Sequence, residues 1–212
     1  MISISGIEYQ EELEKLPFFN KNTACILIGK QGKNLDKKIA QLGRIGYLKT
    51  IKKGMYVSTG YVDKELGESY MQFMANVLRS PSYISAEYVL AREGLIPESV
   101  YWITSITIKS SRKYSNFLGN YLYRNIKNSL FLGFKEKNWN NTIIYTASKA
   151  KALFDYFYLK STYNIRADVY DARINWDNFS EDDLLELVKY VKLSKSIKMN
   201  NILQVIKKYY VS

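Results

Sequence analysis

The sequence predicts an α+β protein in two parts, on three observations. Residues 20–57 read as two short helical stretches separated by a glycine turn, followed by an alternating segment with a Lys52-Lys53-Gly54 tip. Residues 100–146 alternate in β-branched and aromatic side chains, with Asn-, Gly- and Ser-containing turns between the runs. Helical spacing returns from Phe179 onward. The expected organisation is an N-terminal winged helix-turn-helix, residues 1–60, then a mixed α/β domain, residues 61–212, with an antiparallel sheet and C-terminal helices.

Composition bounds the function before any motif does. A chain of 212 residues with 47% hydrophobic and 24% charged residues has ordinary globular content for one or two domains. The 19 tyrosines favour strands and packing surfaces. No apolar run is long enough for a transmembrane helix. The acidic, amphipathic N-terminus lacks the regions of a signal peptide, so a cytoplasmic location is expected. Cys25 is the single cysteine, which excludes an internal disulfide and a cysteine zinc cluster. There is no histidine, which removes imidazole bases, Ser-His-Asp nucleophiles and the usual zinc sites. No catalytic residue, metal ligand or cofactor is expected.

The formal net charge of +11 suggests a polyanionic partner, with a generally lysine-rich composition as the bland alternative. Clustering favours the partner. Between Lys30 and Lys53 there are eight basic residues (Lys30, Lys33, Lys37, Lys38, Arg44, Lys49, Lys52, Lys53) against one acid, Asp36, a local excess of +7.

Residues 4–17 predict a first helix with an imperfect stripe of Ile4, Ile7, Glu8, Leu13 and Leu16, stopped by Pro17. Asn20 or Asn22 can cap the second helix, which carries Ala24, Ile26, Leu27 and Ile28 and ends at Gly29 or Gly32. A third helix begins near Asn34 or Leu35, with Leu35, Ile39, Leu42 and Ile45 on its inner face. Its outer face shows Lys33, Asn34, Lys37, Lys38, Gln41 and Arg44, types that reach phosphates and base edges from a helix in the major groove. Asn34, Lys37, Lys38 and Gln41 are the expected base readers. Lys33 and Arg44, with Lys49, Lys52 and Lys53 of the wing, are the expected phosphate contacts. Gly29-Lys30-Gln31-Gly32-Lys33 lacks the spacing of a phosphate-binding loop.

Residues 58–67 read as a linker, with Gly60, Gly67, Asp63 and Glu65. A helix is expected over 69–78, ended by Ser80-Pro81-Ser82. Tyr83-Ile84 is extended. Ser85 caps a helix with Tyr88, Val89, Leu90 and Leu95, closed by Gly94 and Pro97. Strands are expected over 100–109, 114–117, 121–126, 130–135 and 141–146, with a turn at 138–141. Ser148 caps a helix with Ala150, Leu153, Phe154, Phe157 and Tyr158. Two helices close the chain. One starts at Ser180-Glu181-Asp182-Asp183, with Leu184, Leu187, Val188 and Val191 inward. The other spans 196–209, with Met199, Ile202, Leu203 and Ile206 inward. Lys189, Lys192, Lys195, Lys198, Lys207 and Lys208 read as a solvated face.

The middle of the chain carries an ordered set of motifs. Tyr83-Ile84-Ser85-Ala86-Glu87-Tyr88-Val89-Leu90, Gly94-Leu95-Ile96-Pro97-Glu98 and Val100-Tyr101-Trp102-Ile103-Thr104-Ser105 come first. Tyr123-Arg124-Asn125-Ile126-Lys127, Leu130-Phe131-Leu132-Gly133-Phe134 and Ala147-Ser148-Lys149-Ala150-Lys151-Ala152-Leu153-Phe154-Asp155 follow. Together they resemble the AbiEi antitoxin family over residues 83–159, and residues 48–57 match its wing. Asn125 stands where that family commonly has His, and Lys149 and Ala150 replace its Pro and Glu. The resemblance implies an antitoxin and transcriptional repressor of an AbiE-type (type IV) toxin–antitoxin system, associated with abortive infection and phage defence. It implies a winged helix on inverted repeats of promoter DNA. It also implies a second domain that counteracts a nucleotidyltransferase-like toxin, without requiring direct contact. The motif residues read as structural. Arg124 and Lys127 are candidates for an antitoxin-domain surface, with packing and solvation as the alternative.

Two other function classes stand beside this one. A winged helix can serve as a protein-interaction scaffold without DNA. A metal-dependent nucleic-acid enzyme would need clustered carboxylates, for which Asp155, Asp168, Asp171 and Asp177 are the candidates in the second half.

Overall fold

The computed structural model describes residues 4–210, with side chains over 9–209. The stripe expected on Ile4, Ile7 and Glu8 lies outside the described side chains. The chain divides into two compact units. Unit 1 holds residues 1–71 with 116–118, and unit 2 holds 72–115 with 119–212.

Unit 1 runs α1 (Ile4–Glu14), β1 (Phe19–Asn20), α2 (Lys21–Ile28), α3 (Gly32–Arg44), β2 (Leu48–Lys52), β3 (Met55–Ser58) and α4 (Thr59–Glu65). Its sheet has the order β1-β3-β2, antiparallel throughout. Apolar side chains from the helices and from both sheet edges meet in one core: Leu13, Phe19, Ala24, Leu35, Ile39, Leu42 and Leu48. Asn20 is the N-cap of α2, its side chain accepting from the Thr23 amide at 3.0 Å. Residues 58–67, expected as a linker, instead hold α4. Ser58 caps it by accepting from the Tyr61 amide, and Tyr61 and Val62 are buried. Glycine and acid content alone does not unmake a helix whose cap and apolar contacts are in place.

α5 (Glu68–Leu78) runs across the division between the units. Unit 2 continues with β4 (Ser82–Ile84), α6 (Ala86–Arg92), β5 (Trp102–Thr107), β6 (Arg112–Asn116), β7 (Gly119–Asn125), β8 (Phe134–Trp139), β9 (Thr142–Ala147), α7 (Lys149–Leu159), α8 (Ile165–Asp171), α9 (Glu181–Ser194) and α10 (Ile197–Tyr210). The sheet order is β6-β7-β5-β4-β9-β8. It is mixed rather than antiparallel: β5 pairs parallel with β7, and β4 parallel with β9, while β4–β5 and β8–β9 are antiparallel. Asn76 of α5 ties β4 to β9. Its amide donates to the carbonyls of Ser82 (3.2 Å) and Tyr145 (3.4 Å), and its oxygen accepts from the Tyr145 amide at 2.8 Å. Both edge strands carry charge, Arg112 and Lys113 at the start of β6 and Lys135, Glu136 and Lys137 within β8, which discourages edge-to-edge pairing. No helix among the described residues is long and apolar enough to cross a membrane.

Several expected elements shift. Leu130, placed in a strand by the sequence, belongs to a 3-10 turn, Asn128–Leu130, and β8 starts only at Phe134. Leu95 lies beyond the end of α6, where its amide donates to the Leu90 carbonyl. Ser85 precedes α6 but makes no capping bond, because its hydroxyl is used elsewhere. α8 was not anticipated. Asn164 caps it, accepting from the Ala167 amide at 3.2 Å. Lys198, read as part of a solvated face, instead closes the C-terminal end of α7. Its ammonium donates to the carbonyls of Phe157 (2.8 Å), Tyr158 (2.8 Å) and Lys160 (3.0 Å), the groups a helix end leaves unsatisfied.

The motif residues of unit 2 converge on a buried ion pair. Lys151 and Asp155, one helical turn apart on α7, are 1% and 0% exposed and meet at 2.6 Å. The Asp155 carboxylate also accepts from the Ser85 hydroxyl (2.7 Å) and the Tyr83 hydroxyl (3.0 Å), so β4 and the start of α6 are tied to α7. Gly133 passes over this site with φ +80°. A Cβ there would run into the Tyr190 hydroxyl and come within 3.0 Å of Lys151 Cγ. Gly133→Ala is therefore expected to cost about 1–3 kcal/mol from backbone strain, with steric displacement added. A urea-unfolding midpoint within error of the parent would contradict this.

Candidate nucleic-acid interface

α3 owes its orientation to its inner face. Leu35, Ile39 and Leu42 are buried, and the turn before it is set by Gly29, which ends α2 in the left-handed region (φ +69°) with its amide on the Cys25 carbonyl. α3 begins at Gly32, earlier than the expected Asn34 or Leu35. Ile45, expected on the inner face, is 67% exposed, because the helix has ended at Arg44 and Ile45 is its C-cap.

The outward face is basic. At about 100° per residue, Lys33, Arg44, Lys37, Gln41 and Asn34 fall within roughly 100° of arc. All five are exposed, and no acid lies in that arc. Asp36, the local acid, is off the arc and held by Lys21 at 2.5 Å, so its charge is answered by a residue outside the helix. Asp36 in turn holds the Lys21 ammonium above the usual lysine range, chiefly by that hydrogen bond. Lys38 is half-buried at the margin. Its ammonium donates to the Gln41 side chain at 3.3 Å and lies 6.0 Å from the Tyr9 ring centre.

A tightly bonded junction carries α3 into the hairpin. The Tyr47 amide donates to the Leu42 carbonyl (2.9 Å), the Thr59 amide to the Tyr47 carbonyl (2.8 Å) and the Thr59 hydroxyl to the Gly46 carbonyl. The Tyr47 hydroxyl donates to the Gln10 carbonyl of α1 at 2.8 Å, and burial raises its pKa above the tyrosine range. In the hairpin, Lys52 pairs with Met55 across a Lys53-Gly54 tip, with Gly54 at φ +77°. A register shift between Thr50 and Lys52 lets Ile51 turn into the core at 4% exposure. Lys49 and Lys52 lie half-buried along β2, and Lys53 is exposed at the tip.

Arg124 and Lys127 belong to unit 2. Arg124 is half-buried on β7, donating to the Leu159 carbonyl at 2.6 Å and approaching Glu87 at 3.5 Å. Lys127 is exposed beside the 3-10 turn. Of the acids considered for metal binding, Asp155 is committed to Lys151 and Asp168 pairs with Lys160 at 3.2 Å. Among the described residues no group of three or more carboxylates and thiols is arranged to hold a metal ion. No model of a known family matches the chain, and no curated protein matches it.

The sequence reading missed the buried Lys151–Asp155 pair. A signal lay in the flanking residues: Ala150, Ala152, Leu153, Phe154 and Phe157 of α7 are apolar, and the structure buries all of them. A charged pair at i, i+4 inside such a helix has no solvent face to occupy.

Proposed function

We propose that the chain is a DNA-binding transcriptional repressor that autoregulates an AbiE-type toxin–antitoxin operon and counteracts a nucleotidyltransferase-like toxin. The observation that carries the DNA reading is the acid-free arc of Lys33, Asn34, Lys37, Gln41 and Arg44 on α3, with the Lys52-Lys53 hairpin following it. The order of helices, with a short β1 paired to β3 and a β2–β3 hairpin, supports a winged helix-turn-helix for unit 1. On this reading α3 enters the major groove, Asn34, Lys37, Lys38 and Gln41 meet base edges, and Lys33, Arg44, Lys49, Lys52 and Lys53 meet phosphates. Inverted repeats would seat two copies per operator.

The antitoxin part rests on the motif resemblance over residues 83–159. Its Tyr83, Ser85, Lys151 and Asp155 meet in the interior, which supports a structural role for these motifs rather than a catalytic one. A cytoplasmic location belongs with this reading. The test has two arms. Purified protein should shift a DNA fragment from directly upstream of its own coding sequence, and not a shuffled fragment. Co-expression should relieve growth arrest caused by the neighbouring gene product. Absence of a shift sinks the repressor reading. A shift without relief sinks only the antitoxin reading.

A further inference from the structure

Two hollows open side by side on unit 2, where α8 meets the last turns of α10. One, of about 500 Å³, is bordered by Arg166, Lys208 and Tyr209. The other, of about 310 Å³, is bordered by Tyr170, Arg173 and Trp176 and shares Tyr209 with the first. Both reach the size range of small-molecule sites, roughly 300–1,000 Å³. Among the described residues, no acid borders either hollow.

The charge pattern of α8 explains that absence. Arg166 and Tyr170 stand one turn apart on the side facing the hollows. At about 100° per residue, Asp168 and Asp171 project well away from them. Asp168 is also held by Lys160 at 3.2 Å. The frame is fixed by the Asn164 cap and by the Arg173 amide, which donates to the Tyr170 carbonyl at 3.0 Å. Arg173 is shared with Glu98, so Arg166 and the rings carry the weight of the site. Tyr170 is 70% exposed and Tyr209 43%, so both aromatic side chains stand open to solvent at hollows that Arg166 and Arg173 also border.

Cations alone would suit any polyanion. Open tyrosine faces beside them suit one class better, a chain of phosphates carrying flat rings. Bases in a duplex keep their faces covered by stacking, whereas those of a single strand can be splayed onto side chains. An acidic peptide would answer the charge and leave the rings unfilled. We propose that the α8–α10 groove binds single-stranded nucleic acid, with successive bases stacking on Tyr170 and Tyr209 and a phosphate held by Arg166. This site is independent of duplex recognition by α3.

The test is anisotropy of fluorescein-labelled U12 and dT12 titrated with the full chain. Tyr170→Ala and Tyr209→Ala should each weaken binding roughly 5- to 150-fold, the range for loss of one stacked base. Tyr170→Phe should bind as the parent does, because the ring is kept. Arg166→Glu should weaken binding and flatten its salt dependence. If U12 alone binds, the site takes RNA; if both bind equally, it takes single strands of either sugar. Three outcomes would overturn the proposal: parental affinity in a folded Tyr170→Ala/Tyr209→Ala double variant, displacement of U12 by polyglutamate as readily as by unlabelled U12, or loss of U12 binding only when α3 is altered. Promoter-fragment binding, measured on the same variants, should not change.

Discussion

Replacing Asp155 by leucine is expected to destabilise unit 2 by about 3–5 kcal/mol, the usual cost of leaving one member of a buried ion pair alone. The Lys151 ammonium is 2.6 Å from that carboxylate and reaches no solvent. Three rings surround it, with centroids at 4.7 Å (Phe154), 5.5 Å (Tyr190) and 5.7 Å (Tyr83), and their negative faces favour the cation. They cannot replace a carboxylate. Lys151→Met should be similarly costly, stranding the carboxylate on the Ser85 and Tyr83 hydroxyls. The double variant Lys151→Met/Asp155→Leu should cost clearly less than the sum of the two single losses, because apolar groups of similar volume commonly match a buried pair. It should fall short of the parent by about 1–3 kcal/mol for each buried hydroxyl left without its acceptor. Urea-unfolding free energies of the four proteins complete the cycle, and simple additivity of the two single losses would refute the pairing.

The same pair predicts a pH profile. Burial pushes the Asp155 carboxyl up from its ordinary 3.8, against the pull of Lys151, and pushes the Lys151 ammonium down from 10.5, against the pull of Asp155. A carboxyl raised on folding contributes stability that is full below its unfolded value and is lost as pH rises through its folded one. A lysine lowered on folding contributes stability that is full above its unfolded value and is lost as pH falls through its folded one. The burden of both groups therefore falls between 3.8 and 10.5, and the double variant should be flatter in stability across that interval.

The second large effect concerns salt. If Lys33, Arg44, Lys49, Lys52 and Lys53 each neutralise one phosphate, promoter affinity should fall by about 500-fold between 50 and 200 mM monovalent salt. Lys33→Ala/Lys52→Ala/Lys53→Ala should lower the slope of log affinity against log salt by roughly 3. Lys33 and Lys53 are exposed and Lys52 half-buried along β2, so a parental circular dichroism spectrum is expected. Gln41→Ala should leave the slope alone and relax choice at one base pair. A slope unchanged in the triple variant would remove these lysines from the interface.

Unit 1 was legible because its signals are local. Apolar residues at helical spacing, Asn20 as a cap and a Lys-Lys-Gly tip each act within a few residues of themselves. The differences there fall at ends: the apolar periodicity runs one residue past α3, to Ile45, and Gly60 gives a helix the composition of a linker. Unit 2 was less legible because its decisive contacts are distant in sequence. The parallel pairing of Ile84 with Thr146 leaves no mark on either segment, and alternation is the same for a parallel as for an antiparallel neighbour. Nothing near Lys198 in sequence shows that it reaches the end of α7. On α3 the basic residues were found, but half-burial of Lys38 against Tyr9 and Gln41 depends on packing with α1 and was not foreseeable.

β4 has only three residues, yet it joins β5 to β9 and so holds the two halves of the unit 2 sheet together. Its parallel partner is made roughly sixty residues later, a separation that raises contact order and slows closure of the sheet. Nearly all of unit 1, by contrast, is complete by Met71. During synthesis the first unit therefore has its full set of partners while β4 still waits for β9. On the proposed function, a ribosome-bound chain is competent to seek an operator before it is competent to oppose a toxin.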